Sequence, residues 1–375
     1  MRVLMVCRQF WPYQGGLESA SLLMAKGLSQ KRHQVDVVTL NCRIRNPQSS
    51  PLPSDDRLGP IHIRRVASLS RNYCLPVWKP PQSHYDVVHL NGIDGFLELV
   101  HWFNTQSRIP VVLQSHGLIF HTTRLLRLKN AYWRHLFTKR AQSLTVVASS
   151  KSDANKLAEV GVASTVIPNP VSLVGFPENP DRPIDLLYLG RMAEHKGLPQ
   201  VLAVFLKMQE KWPHIQMVFA GEDWDGTLKA LLPLPKGVTW LGQVTEQKKR
   251  WLLQSAKIAL FPSRAEGFGI TVIEAMSAGS VVVANDIEVY GEIVEHEVNG
   301  YLSCYQDINR TAKLLESLLE KDSNRLFFVK KQGFQTAQLY DPDRIANLLL
   351  GVYHHAQESH MRKYRRQGGI NAKGT

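Results

Sequence analysis

Short, continuously apolar runs alternate along this chain with longer segments whose apolar residues recur every three to four positions, and the alternation is played through twice. Residues 2–7, 35–40, 61–66, 86–91, 110–115 and 144–148 predict strands. Because most of these runs are continuously apolar instead of alternating, they fit a parallel sheet covered on both faces. The segments 17–30, 93–105 and 123–140 predict the helices between them, which is βαβ logic. Pro168, Asn169 and Pro170 interrupt the pattern, and 177–183 is Pro-rich and charged, so a linker is expected near 168–183. The pattern then restarts, with strands at 184–189, 215–220, 238–241, 258–261 and 280–284 and helices at 197–211 and 268–278. The last stretch is helical again, with Pro342 as a first-turn residue. Residues 358–375 hold five basic residues after His360, no acid beyond it and three glycines, and are expected to be flexible.

Composition narrows the class. The chain has 375 residues, enough for two to three domains of roughly 150 residues. It is 44% apolar and 21% charged, which excludes a disordered chain or a coiled coil. The four cysteines, Cys7, Cys42, Cys74 and Cys304, form no CxxC pair, so neither a zinc nor a dithiol site is expected. The first residues show no secretory pattern and no run approaches about 20 apolar residues. The expected location is cytoplasmic. A net charge of +13 points to an anionic substrate or an anionic surface. No helix-turn-helix, zinc or RNP-like aromatic motif accompanies the charge, so a specific nucleic-acid partner is not expected.

Four local patterns carry candidate chemistry. After the predicted strand at 258–261, a Pro/Ser/Arg loop leads to Glu266-Gly267-Phe268-Gly269, which opens a helix from Ile270. A glycine-rich turn feeding a helix N-terminus offers free N–H groups to phosphate. Glu266 and Glu274, eight residues apart, offer acceptors to sugar or ribose hydroxyls. Gly190-Arg191 and Lys196 follow another strand and pair a planar multidentate donor with a point charge, a set suited to diphosphate. Gly15-Gly16 follows the first strand, and Ser115-His116-Gly117 ends a buried one. Read singly, each pattern also fits a plain turn, a charged surface loop or a structural histidine.

Taken in order, these motifs resemble a family. Gly15-Gly16, Ser115-His116-Gly117, Ile167-Pro168-Asn169-Pro170, Leu189-Gly190-Arg191 with Lys196-Gly197, Ala220-Gly221, Gly242 and the Glu266 to Glu274 element together look like a retaining glycosyltransferase of family four, the group one transferases. The resemblance implies the GT-B fold, an α/β architecture of two Rossmann-like, doubly wound parallel-sheet domains. It implies an acceptor-side domain at 1–170, a donor domain at 171–339, and a helix at 340–357 returning to the first domain.

It also implies roles. Arg191 and Lys196 would neutralise the donor diphosphate. Glu266, with the N–H groups of Gly267, Phe268, Gly269 and Ile270, would hold the transferred sugar and phosphate. Glu274 would hold the ribose, and Val244 would meet the base through its backbone. Gly15 and Gly16 would approach the phosphate, and His116 would touch the sugar near the reacting carbon. Gly190 would line the donor site beside Arg191. The donor would be a nucleotide sugar, a UDP-sugar ahead of GDP-mannose, the acceptor a glycan or lipid-linked glycan, and neither cofactor nor metal is expected. A binding-only relative and a sugar-nucleotide epimerase are the alternatives.

Two segments stand apart from the family pattern. Glu222-Asp223-Trp224-Asp225-Gly226 is more acidic than the family leads one to expect, and its acids are expected to be solvated. Residues 121–140 hold six Lys/Arg and no acid, with Leu125, Leu128, Tyr132 and Leu136 on one side of a helical projection and Arg124, Arg127 and Arg134 on the other. Such a helix suits an anionic membrane surface, so peripheral attachment at the inner membrane face is an expectation.

Overall fold

The computed structural model describes residues 1–13, 15–44, 50–70, 74–79, 85–93, 96, 109–116, 144–177, 181–320 and 323–371. Apart from residues 93 and 96, the helices expected at 93–105 and 123–140, and with them the basic segment 121–140, lie outside these residues.

The chain forms two compact units, Met1–Pro170 with Pro342–Thr375, and Val171–Asp341. In unit 1 the strands are β1 (Arg2–Cys7), β2 (Gln34–Leu40), β3 (Asp55–Leu58), β4 (Ile61–Val66), β5 (Val87–Asn91), β6 (Val111–Gln114), β7 (Thr145–Ala148) and β8 (Thr165–Val166). They lie in the order β3-β4-β2-β1-β5-β6-β7-β8. All neighbours are parallel except β3, which runs antiparallel against β4 at the edge. β1, β5 and β6 are buried almost throughout. Burial on both faces is what makes these runs continuously apolar, and each fully buried Val or Leu contributes roughly 1.5–3 kcal/mol.

The described helices of unit 1 are α1 (Gly16–Gln30) and α2 (Lys151–Ala158), together with the C-terminal helix α9 (Pro342–Asn371). α9 returns to this unit. A side chain at Gly27 of α1 would lie 3.1 Å from Ala346 Cβ, so the two helices pack backbone against side chain. Lys31 pairs with Asp343 at 2.5 Å, and Tyr353 is completely buried.

Here the structure corrects the sequence reading. The stretch expected to be a flexible tail from 358 continues α9 as helix to Asn371. Gln357, Glu358, Met361, Arg362 and Lys363 are strong helix formers, and they extend a helix already nucleated by packing. Only the glycine pair at 368–369 speaks against it.

In unit 2 the strands are β9 (Ile184–Leu189), β10 (Met217–Ala220), β11 (Val238–Trp240), β12 (Ala256–Phe261), β13 (Val281–Asn285) and β14 (Tyr301–Ser303), ordered β11-β10-β9-β12-β13-β14 and all parallel. The helices are α3 (Leu198–Gln209), α4 (Glu246–Ser255), α5 (Ile270–Ser277), α6 (Glu288–Gly291), α7 (Ile308–Glu320) and α8 (Ser323–Gln338). Both sheets reverse strand order beside their first strand, at β1/β5 and β9/β12. That reversal opens a crevice at the carboxyl ends of the strands, where α/β sheets bind ligands.

Candidate active site

In unit 2 the loops leaving β9 and β12 meet across the switch point. The first carries Gly190, Arg191 and a 3₁₀ turn, Glu194–Lys196. The second carries Arg264 to Gly269. The two are tied by backbone: Arg264 N donates to His195 O at 2.8 Å, and Arg264 Nη2 to Glu194 O at 2.8 Å. At the centre Lys196 Nζ donates to Glu266 Oε2 at 2.5 Å. Gly267 N donates to Glu266 Oε1 at 3.1 Å, and Tyr290 Oη reaches Oε2 at 3.4 Å. Burial alone would raise the Glu266 carboxyl, but the Lys196 charge and the two N–H donors outweigh it, so the group is held below the usual carboxylate range. The site therefore presents an ionised, oriented acceptor.

Gly269 caps α5 with φ +94°, a left-handed conformation that a side chain would strain. No side chain caps this helix, so the first N–H groups of α5, including those of Ile270 and Thr271, are left without intrahelical acceptors. A helix start with open N–H groups favours an anion. Phe268 is buried beneath, edge-on to Tyr340 with centroids 5.8 Å apart.

Glu274, on α5, is 5% exposed and pairs with Lys249 of α4 at 2.8 Å. Lys249 also reaches Glu246 at 2.8 Å. Burial pushes the Glu274 carboxyl up against the pull of Lys249. Burial would likewise lower the Lys249 ammonium, but Glu274 and Glu246 hold it above its ordinary value. Glu266 and Glu274 are thus two separate stations, each with its own lysine. Val244, just before α4, is half-buried and packs against the same core.

Asp225 is exposed, as expected, and Glu222 and Asp223 are partly exposed, yet two of these carboxylates also bind the loop backbone. Both oxygens of Asp223 accept backbone N–H groups, from Leu228 and Lys229 at 3.2 and 3.1 Å. Asp225 accepts from Glu194 N at 3.0 Å and from Thr227 N and Oγ1 at 3.1 and 2.5 Å. These carboxylates shape the loop by accepting its backbone N–H groups. Among the described residues, no group of three His, Cys, Asp or Glu lies close enough together to hold a metal ion. Lys249 and Tyr290 were not singled out from the sequence, nor was the contact of Asp225 with Glu194. Their partners lie 24 to 31 residues away, and no local spacing announces such a pairing.

In unit 1, His116 follows β6 and its Nε2 meets Asn91 Oδ1, while Asn91 Nδ2 meets Ser21 Oγ. Below it Ser115 Oγ donates to the buried Asp153 at 2.8 Å. Burial, with His89 beside it, pushes His116 down to about 3. Burial likewise takes His89, hydrogen-bonded to Tyr353 Oη at 2.6 Å, to about 4. Both imidazoles are neutral near pH 7. Gly15 is extended, with φ 177°, and Gly16 opens α1. Neither glycine is left-handed, so the turn itself does not require them.

A depressed histidine stabilises a fold above its unfolded value near 6.5 and loses that contribution as pH falls toward its folded value. Unit 1 is therefore expected to lose roughly 2–4 kcal/mol between pH 6.5 and 4. Denaturant unfolding followed against pH checks this, with His89→Gln flattening the dependence. A flat profile for the unmodified chain would contradict it.

Two family models match adjoining parts of the chain, Glycosyltransferase Family 4 over residues 14–174 and Glycosyl transferases group 1 over residues 175–332. A GDP-mannose:cellobiosyl-diphosphopolyprenol alpha-mannosyltransferase of Xanthomonas oryzae is 29% identical over 95% of this chain and 97% of its own. A phosphatidyl-myo-inositol mannosyltransferase of Mycolicibacterium smegmatis is 25% identical over 94% and 93%. Among solved structures, a sucrose-phosphate synthase from Thermosynechococcus elongatus superposes with a TM-score of 0.74 at 18% identity, covering 96% of this chain and 99% of that one. With both halves matched in order and two parallel-sheet units of switch-point topology, the chain belongs to the group 1, family four glycosyltransferases of GT-B fold.

Proposed function

We propose that this glycosyltransferase moves a mannosyl residue from GDP-mannose to a lipid-linked glycan, with retention of configuration and without a metal. The observation that carries this reading is the full-length likeness to the Xanthomonas mannosyltransferase. The mycobacterial relative is also a mannosyltransferase, with a lipid in its name. The name of the Xanthomonas relative supports GDP-mannose ahead of the UDP-sugar that the family resemblance put first.

Arg191 and Lys196, with the start of α5, supply positive charge where the diphosphate leaves. Glu266 accepts hydroxyls of the transferred sugar. Both its oxygens are engaged by Lys196, Tyr290 and Gly267, which makes it a poor nucleophile and favours attack on the leaving-group face, the departing phosphate assisting deprotonation of the acceptor. Glu274 holds the ribose. The resemblance assigns His116 to the sugar, and a neutral imidazole suits a hydroxyl partner. Among the described residues no helix is long and apolar enough to cross a membrane. A lipid-linked acceptor would be reached from the membrane surface, and the basic segment 121–140 is the candidate for peripheral attachment there.

GDP at 100 times its dissociation constant is expected to stabilise the protein by about 2.7 kcal/mol in a thermal shift, and UDP by less. GDP-mannose with a polyprenyl-diphosphate oligosaccharide should then give an α-mannosylated lipid, undiminished by EDTA. A larger shift with UDP would overturn the donor, an inverted product the stereochemistry, and loss with EDTA the metal independence.

A further inference from the structure

The loop that departs from the family pattern lies against Arg191. Trp224 is 42% exposed, and the Arg191 guanidinium sits 5.3 Å from the centre of its indole. The contact is built by the backbone. Met192 N donates to Glu222 O at 2.8 Å and Trp224 N to Met192 O at 2.9 Å, a two-residue parallel bridge. Tyr188 Oη donates to Arg191 O at 2.9 Å and fixes the other side of the turn.

Acids crowd this region, yet Asp223 and Asp225 are turned onto backbone N–H groups and Glu194 lies toward Arg264 at 3.8 Å. Among the described residues, the Arg191 guanidinium makes no hydrogen bond and no ion pair with a carboxylate. That distinction matters for an arginine that must meet a diphosphate. A carboxylate partner would occupy its N–H fork and compete with the phosphates. An aromatic face restrains the guanidinium while leaving its edge donors open.

We infer that Trp224 is a positioning residue for the diphosphate: its indole holds Arg191 in place without consuming the N–H groups that meet the leaving phosphates. The inference rests on the donor-site reading above and extends it to a residue outside the family motifs.

Calorimetric titration of the full chain with GDP and, separately, UDP tests it, followed by kcat and KM for the donor. Trp224→Leu keeps the backbone bridge and removes the aromatic face. It is expected to weaken binding of the better nucleoside diphosphate about 5-fold and to lower kcat about 10-fold. Trp224→Phe should stay within about 2-fold of the unmodified chain, which a purely space-filling role would not require. In an Arg191→Ala background, Trp224→Leu should add nothing, since the coupling runs through the guanidinium. Equal losses for the Leu and Phe variants, or a full further loss in the Arg191→Ala background, would overturn the inference. If Arg191→Ala itself leaves both nucleotides bound as before, the donor-site reading fails first. If Arg191→Ala weakens binding and Trp224→Leu does not, only the role of Trp224 falls.

Discussion

Lys196→Ala is expected to lower turnover about 10²–10³-fold, the size of effect seen when one donor to a developing oxyanion is removed, roughly 2.7–4 kcal/mol. The loss should fall on kcat and kcat/KM alike, because charge on the departing diphosphate grows in the transition state. A second effect is separable from the first. Lys196 and Glu266 are 14% and 21% exposed and 2.5 Å apart, so removing the ammonium leaves a nearly buried carboxylate unpaired. Full burial would put that cost at about 3–5 kcal/mol, and the residual exposure brings it to roughly 1–3. The pH sign follows. In the unmodified chain Glu266 is depressed, so its stabilising contribution is present above the ordinary carboxylate range and lost as pH falls through the folded value. In the variant burial, the largest influence on this carboxyl, is opposed by the Gly267 N–H and the weaker pull of His195, so the carboxyl should rise and acidification should relieve the strain there. Lys196→Ala with Glu266→Gln should regain stability without regaining turnover. Turnover in the single variant above about a tenth of normal would show that the diphosphate is stabilised elsewhere.

Most strands of both units were legible because burial on both faces favours apolar positions. β13 reads Val-Val-Val-Ala-Asn and is buried at every residue. β3 was not legible. Its sequence, Asp-Asp-Arg-Leu, has no apolar run, and it is a strand only because β4 offers an antiparallel edge. The end of α9 was misread because two glycines weighed more on the page than a helix anchored by Tyr353 and Ala346. In the site, the residue types after β9 and β12 were readable from the strand-to-loop pattern, but not what they touch. The spacing of Glu266 and Glu274 suggested two hydroxyl acceptors but not their partners. The fold gives each carboxylate a separate lysine, one from the β9 loop and one from α4. Asp225 and Trp224 drew notice only as members of the acidic segment 222–226. What decides their behaviour is direction, which backbone bridging to Met192 sets and composition does not encode.

The largest effect on folding is expected at Gly221, where three strand ends of unit 2 converge. Gly221 follows β10 with φ +144°. Its N–H donates to Gly242 O at 2.8 Å, and its carbonyl accepts Trp240 Nε1 at 3.0 Å. Beside it Gly190 N donates to Ala220 O at 3.0 Å. A Cβ added at Gly221 would overlap Gly190 O and lie 2.7 Å from Gly190 C and 3.4 Å from Arg191 N. These are backbone atoms, and no rotamer change can clear them. Strain at the unfavourable φ and overpacking together put Gly221→Ala at roughly 2–6 kcal/mol. For a unit of this size that lowers the melting temperature by about 5–20 °C. Any accommodation must push Gly190 and Arg191 away, so turnover should fall about 10²-fold even in the fraction that folds. Gly226 supplies the contrast. It also has positive φ, +83°, but nothing lies within 4 Å of a Cβ placed there, so Gly226→Ala should cost only about 1 kcal/mol and leave turnover nearly intact. Melting temperatures and kcat measured for both variants decide the matter. If Gly221→Ala melts no lower than Gly226→Ala, the backbone approach of Gly190 to Gly221 is looser than described, and the Arg191 loop is not held by it.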